Sequence, residues 1–133
     1  MRISTFAKRD LYYTRDHEWI DFQGSIAYIG VCAFKLKGIR QVHKLDLAGS
    51  QGVIPCGQVI ASICYDDYDI PVHMTVEGEI LSFNELLSSE NWHLLLEEPE
   101  TRGWIALVVP SRSNETGDLM NPEQYSFFKI GRR

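Results

Sequence analysis

The stretch that decides the fold is residues 61–80, which read ASICYDDYDIPVHMTVEGEI. Apolar runs at 59–63 and 70–74 flank a polar segment at 65–69, and a second turn follows around Gly78 before another apolar run. Two strand-like runs that enclose a short polar segment are typical of a β-hairpin. The sequence therefore predicts a hairpin with an acidic and aromatic tip, formed by Tyr65, Asp66, Asp67, Tyr68 and Asp69.

Composition limits the class of protein. A chain of 133 residues suits one domain, and its hydrophobic fraction of 44% is enough for an ordinary core. The formal net charge of −5 argues against a general nucleic-acid binder, which would carry a basic patch. No apolar run has transmembrane length, and the first residues lack the apolar core of a signal peptide. We therefore expect a cytoplasmic protein that binds neither membranes nor nucleic acid.

Several short motifs on both sides of the hairpin occur in a fixed order. The chain opens with YYTRDHEWI at 12–20, continues through the glycines Gly57 and Gly78, and reaches Gly103-Trp104 and then Asn121-Pro122-Glu123. In this order the motifs resemble those of the glycine cleavage system H protein family, which belongs to the biotinyl and lipoyl carriers. The resemblance extends from about Tyr12 to Phe128.

The resemblance implies a mainly β fold of the barrel-sandwich hybrid type. This is a flattened β-sandwich of the lipoyl-domain kind, with a few short helices and a C-terminal helix that starts near Asn121. We expect residues 1–11 to form an N-terminal lead-in and residues 12–133 to form a single domain.

Finer expectations follow from local patterns. A hairpin is predicted around Gln23-Gly24, and a strand is predicted from Ile39 to Leu47 with Val42, Leu45 and Leu47 pointing inward. Trp104 opens an apolar run and is predicted to be largely buried.

The family attaches lipoic acid to a lysine at the hairpin tip, in a Glu-Ser-Val-Lys-Ala setting. Counting forward from Gly57 and backward from Gly78 places that position on Asp67 both times, without a gap. No lysine occurs between Lys44 and Lys129, and the flanking positions are Cys64 and Tyr68. A carboxylate cannot form the amide that holds lipoate. We therefore expect that the chain carries no lipoate and has no other cofactor.

Three hypotheses about function remain. In the first, the chain is a non-lipoylated protein-interaction or regulatory module that binds a protein through the hairpin tip. The resemblance names the enzymes of glycine cleavage and of lipoate metabolism as possible partners. In the second, the chain is a functional H protein that carries an aminomethyl group on lipoate, which the missing lysine opposes.

The third hypothesis is a thiol- or metal-dependent carrier that uses Cys64 or the turn from Asp66 to Asp69. Three carboxylates in four residues offer oxygen ligands, but Asp is also favoured in solvated turns. Nearby carboxylates would raise the pKa of the Cys64 thiol and make it less reactive. Three cysteines without close spacing and four dispersed histidines predict neither a disulfide framework nor a metal site. No set of residues suggests catalysis, so we do not expect an enzyme.

Overall fold

The computed structural model describes residues 10–48, 51–87, 91–112 and 116–131. The described chain is mainly β, as the sequence predicts. Its eight strands are β1 (Tyr12–Tyr13), β2 (Glu18–Gln23), β3 (Ile26–Val31), β4 (Lys44–Leu47), β5 (Val59–Tyr65), β6 (Tyr68–His73), β7 (Gly78–Phe83) and β8 (Ala106–Pro110). Its helices are α1 (His93–Glu97), α2 (Pro122–Gly131) and two 3₁₀-helices, Ala33–Leu36 and Glu85–Leu87.

The strands form two antiparallel sheets. The first has five strands in the order β1-β2-β3-β8-β7, and the second has three in the order β4-β5-β6. An isolated bridge between Ile54 and Gly78 joins the segment before β5 to the start of β7. Pro71 lies in β6, an edge strand, where a residue without an N–H is tolerated.

One apolar core is shared by the two sheets and the short helices. Residues of β3, β5, β6 and β8 supply much of it, and all of those named here are at most 1% exposed: Ile29, Ile60, Ile63, Val72 and Val108. Strands that alternate between buried and exposed positions fit sheets covered on one face. The predicted flattened β-sandwich is therefore confirmed.

The opening motif lies on the hairpin formed by β2 and β3. Trp19 is 1% exposed, and its indole Nε1 donates to the carbonyl oxygens of Val31 and Pro99, each at 3.0 Å. A buried indole N–H needs such acceptors because an unpaired donor in the core is costly. The motif thus fixes the strand pair and also binds the loop after α1.

The C-terminal helix packs against the start of the chain. The Tyr13 and Tyr125 rings stack with centroids 4.3 Å apart, and His17 Nδ1 lies 2.8 Å from the Tyr125 hydroxyl. Asn121 Oδ1 accepts from the Gln124 N–H at 2.8 Å and so caps a helix that starts where the sequence predicted it. Asn84 caps the 3₁₀-helix at 85–87 in a similar way, because its Oδ1 accepts from the Leu86 N–H at 2.9 Å.

The lead-in is described only at its end. Residues 1–9 of the predicted lead-in lie outside the described residues. Leu11, which was predicted to belong to the lead-in, is 8% exposed and packs in the same cluster as Trp19 and Tyr125.

Trp104 is partly buried in the segment between Gly103 and β8, where its ring rests edge-on against Tyr28 with centroids 5.0 Å apart. The local prediction for strand β4 was wrong. The strand predicted from Ile39 begins only at Lys44, and Leu47 is 47% exposed. Among the described strands, β4 pairs with β5 alone and is an edge strand. In the described parts of the chain, none of the helices is both long and apolar enough to span a membrane.

Candidate functional site

The predicted hairpin is formed by β5 and β6. Their ladder runs from Val59 opposite His73 to Tyr65 opposite Tyr68, and it leaves Asp66 and Asp67 as a two-residue turn. Asp66 has φ of 47°, in the left-handed region that Asp tolerates better than most residues. The structure thus brings all five predicted tip residues together and places Asp67 at the apex.

The tip is open to solvent. Asp66, Asp67, Tyr68 and Asp69 are exposed, and Tyr65 is partly buried. Tyr68 is 64% exposed, and its ring centroid lies 5.6 Å from that of Tyr65. The two rings therefore contact each other, and the Tyr68 ring is the more exposed of the two.

Charges of both signs surround the tip, but negative charge dominates. His43 Nε2 lies 3.8 Å from Asp66 Oδ1, and Lys44 Nζ lies 3.4 Å from Asp46 Oδ1. These side chains are all at least half exposed, so water screens their interactions. The carboxylates of the tip are consequently available to an external cation.

Cys64 lies one position before the tip residues. Partial burial raises its pKa to about 11, with further contributions from a hydrogen bond and charge of Asp69 and from the charge of Asp46. The direction agrees with the sequence prediction, but burial is the largest cause of the raised pKa, and the carboxylates that add to it are Asp69 and Asp46. A raised pKa reduces the thiolate that a thiol carrier would need.

The other two cysteines are unpaired as well. Cys32 is buried, and burial raises its pKa to about 12, while Cys56 is exposed. Among the residues that the structure describes, no group of three or more His, Cys, Asp or Glu side chains is arranged to hold a metal ion.

Two glycines that set the alignment of the tip have physical reasons to be glycine. Gly57 has φ of 93°, which is unfavourable for any residue with a Cβ. A Cβ on Gly78 would overlap the carbonyl oxygen of Val109 on the neighbouring strand. The count from these positions to Asp67 therefore starts from structurally required residues on both sides.

A buried charge cluster beside the hairpin was not found from the sequence. Glu18 is 1% exposed, and its Oε2 accepts from Lys35 Nζ at 2.8 Å and from the His73 N–H at 3.0 Å. The same oxygen lies 2.9 Å from His73 Nδ1. The one signal in the sequence is an acid directly before the apolar pair Trp19-Ile20, since an acid that is buried with such neighbours requires a partner.

The two sheets, with an exposed hairpin in one of them, match the barrel-sandwich fold. The model of the Glycine cleavage H-protein family matches residues 11–130, and the chain belongs to that family.

Individual relatives agree with this assignment. The chain is 30% identical over 117 residues to the glycine cleavage system H protein of Carboxydothermus hydrogenoformans, which covers 88% of this chain and 89% of that protein. It is 28% identical to the H protein of Bacteroides thetaiotaomicron, with 88% of this chain and 92% of that protein covered. A crystal structure of an H protein from Mycobacterium marinum superposes with a TM-score of 0.77 and covers 93% of this chain and 98% of the other. At 18% identity, this last likeness concerns the fold.

Proposed function

We propose that this chain is a non-lipoylated member of the glycine cleavage H-protein family that acts as a protein-interaction module through its hairpin tip. The observation that carries the proposal is the apex itself, where Asp67 is exposed in a two-residue turn. No lysine occurs from residue 45 to residue 128, so a shift of alignment by a few residues would not supply one. The core that supports the hairpin nevertheless keeps the architecture of the family.

The chemistry of the tip favours a partner with a positively charged surface. The tip carries three exposed carboxylates beside Tyr68 in the sequence, Asp66, Asp67 and Asp69, and the pair of Lys44 and Asp46 lies on the neighbouring strand β4. Aromatic side chains are enriched at the centres of protein interfaces, and complementary charge around them increases the rate of association. Because these charges are exposed, the affinity should fall as salt is added.

The names of the relatives direct the search for the partner. They are described as glycine cleavage system H proteins, so the enzymes of that system and of lipoate attachment are the first candidates. A chain that presents the carrier fold without the carrier lysine would occupy the docking site of such an enzyme without delivering a substrate. A regulatory role follows from that competition.

The test has two parts, the first being intact mass measurement of the protein purified from its own cells. The expected mass is that of the unmodified chain. A lipoyl adduct on any lysine would contradict the proposal and favour a functional lipoate carrier.

The second part is affinity capture from those cells with the wild type, Tyr68→Ala and an Asp66→Asn/Asp67→Asn double variant as baits. Phe127→Ala is the matched control, since Phe127 is 69% exposed on α2 and lies outside the tip. Tip variants should lose a partner that the control keeps, and that partner, once purified, should bind more weakly at high salt. Equal recovery by all four baits would remove the tip from the interaction.

A further inference from the structure

A group of aromatic rings lies where the C-terminal helix α2 packs near the start of β2. The His17 ring is at its centre, with its centroid 4.5 Å from that of Phe34 and 5.6 Å from those of Tyr125 and Phe128. Tyr125 is buried, whereas Phe34 and Phe128 are only partly buried. The rings therefore form one layer that reaches the surface of the molecule.

Each of the three outer rings of this layer carries a cation. A cation that rests on a ring uses the negative potential of the ring face, and its remaining N–H groups can still donate to a second partner. The distances from the charged group to the ring centre are 5.5 Å for Arg15 Cζ on Phe128, 5.4 Å for Lys37 Nζ on Phe34 and 4.8 Å for Lys129 Nζ on Tyr125. We call this surface, formed by the three cations with Phe34 and Phe128, the cationic face.

The cations of the face have no carboxylate of their own. Within the described parts of the chain, Arg15, Lys37 and Lys129 form no ion pair. Lys35 is nearby but is not available, because its Nζ is bound at 2.8 Å to the buried carboxylate of Glu18. In a chain with a net charge of −5, three cations without acidic partners form a local surface of the opposite sign.

Strand β6 separates the hairpin tip from the cationic face. The face adjoins the far end of this strand, since Asp16, which follows Arg15, has its Oδ2 3.8 Å from His73 Nδ1. Tyr68 and His73 are the two ends of β6, about 17 Å apart along an extended strand. The ladder with β5 keeps β6 extended, so the tip of a molecule cannot reach the face of the same molecule.

We propose that the cationic face binds the hairpin tip of a second copy of this chain. The tip offers exposed carboxylates at Asp66 and Asp67 and an exposed ring at Tyr68. The carboxylates accept from the cations of the face, and the tyrosine ring packs against its partly buried rings. This inference rests on the function proposed for the tip, because it names one partner of that surface. A tip that is bound in this way is withdrawn from other partners, so self-association regulates it.

The contact joins different surfaces of the two copies. A molecule that docks its tip still presents its own face, so association continues into open chains instead of stopping at a dimer. The interacting charges are exposed, and the net charge of −5 on each copy opposes association. We therefore expect weak binding that salt decreases further.

Sedimentation velocity of the full chain tests for self-association. At about 0.1 M salt the average mass should rise above that of the monomer as the protein concentration approaches about 1 mM, where weak complexes form. At about 1 M salt, where charges are screened beyond about 3 Å, the mass should return to that of the monomer. A monomer at every concentration would overturn the proposal.

Two double variants separate the surfaces. Arg15→Gln/Lys37→Gln alters the face, Asp66→Asn/Asp67→Asn alters the tip, and each should associate about tenfold more weakly than the wild type, as expected for the loss of two exposed ion pairs. An equal mixture of the two should form a heterodimer that grows no further, because one intact tip and one intact face remain. A mixture that associates as weakly as either variant alone would overturn the proposal.

Single charges outside both surfaces provide the controls. Arg102→Gln removes an exposed guanidinium that pairs with Glu98, and Glu97→Gln removes an exposed carboxylate on α1. Both should associate as the wild type does, and a loss as large as that of the face variant would assign the effect to net charge and overturn the proposal. Binding of the wild type, but not of the face variant, to phosphatidylserine vesicles with no self-association would assign the face to a membrane instead.

Failure of self-association can be distinguished from failure of the proposed function. A monomeric wild type whose tip still captures another protein from cells would overturn self-association and leave the proposed function in place. A tip variant that self-associates like the wild type and also recovers the same proteins would overturn both. Self-association that needs the intact tip and face, together with the heterodimer of the mixed variants, would establish the second copy as a partner of the tip.

Discussion

At the base of the β5–β6 hairpin, Ile60 and Val72 are at most 1% exposed, whereas at its tip Asp67 and Tyr68 stand in solvent. The base is fixed by packing between two sheets, where a change of one methylene alters stability. The tip makes few contacts with the rest of the chain, so a substitution there has little influence on folding. One hairpin therefore contains a part that maintains the architecture of the family and a part whose chemistry is free to change.

The largest loss of stability is expected when the buried residue Trp19 is replaced. Trp19→Ala should lower the free energy of unfolding by about 3–5 kcal/mol, the usual loss when a fully buried aromatic ring is removed. Trp104→Ala should cost clearly less, since that ring is only partly buried. Urea denaturation followed by far-ultraviolet circular dichroism measures both.

If Trp19→Ala does not fold, Trp19→Phe provides a milder version that keeps most of the packing but loses the two indole hydrogen bonds. If Trp19→Ala and Trp104→Ala lowered the free energy of unfolding equally, the two rings would not differ in burial as the structure shows.

The buried charge cluster next to the hairpin is expected to give the second-largest effect. Glu18→Gln keeps the shape of the side chain but removes the charge that Lys35 and His73 contact, at a cost of about 1–3 kcal/mol. Glu98→Gln is the matched control, because Glu98 pairs with Arg102 in an exposed position where an ion pair is worth about 0.5 kcal/mol. Urea denaturation at neutral pH compares them, and a smaller loss for Glu18→Gln than for the control would be inconsistent with the cluster.

The reactivity of Cys64 probes the region between base and tip. Raising its pKa from 9.0 to about 11 lowers the thiolate fraction at neutral pH about a hundredfold, which the greater intrinsic nucleophilicity of the thiolate offsets in part. Alkylation by iodoacetamide should therefore be about tenfold slower than for an unstructured cysteine peptide.

The rate should rise with pH until about pH 11, because the neutral thiol is the main form below the pKa. Peptide mapping by mass spectrometry follows Cys64 separately from Cys32 and Cys56. Rapid labelling of Cys64 at neutral pH would restore the thiol-carrier hypothesis.

The smallest effect on stability is expected at the apex. Asp67→Lys should change the free energy of unfolding by about 0.5 kcal/mol or less, as exposed substitutions usually do. The variant should still be a poor substrate for a lipoate ligase, because Cys64 and Tyr68 also differ from the family's flanking residues. Adding Cys64→Glu and Tyr68→Ala should increase modification, measured as added mass after incubation with the ligase.

Either of two results would revise this view of the tip. Efficient lipoylation of Asp67→Lys alone would show that the flanking residues matter little. A folded triple variant that accepts no lipoate would show that the tip has lost the backbone shape of the family. The proposed interaction would then have to involve another loop.

Local patterns in the sequence indicated the hairpins, and the family resemblance supplied the arrangement of the sheets. The apolar runs in β5 and β6 and the turn residues between them depend on neighbours within a few positions, so the sequence reveals them. The cluster of Glu18, Lys35 and His73 joins positions 55 residues apart, and no local rule pairs them. The prediction that Leu47 points inward was wrong for a related reason. An apolar residue is buried only if a second layer covers it, and the order of the strands determines where that layer lies.

The position of Pro71 in β6 has a consequence for self-association. An edge strand displays unpaired backbone groups that can serve as a template for a strand from another molecule, the first step toward aggregation. Pro71 removes one donor from that template, and the exposed charge of Asp69 on the same strand disfavours stacking of identical copies. At high local concentration this edge should therefore resist sheet extension, which leaves recognition at the hairpin to side chains rather than to backbone pairing.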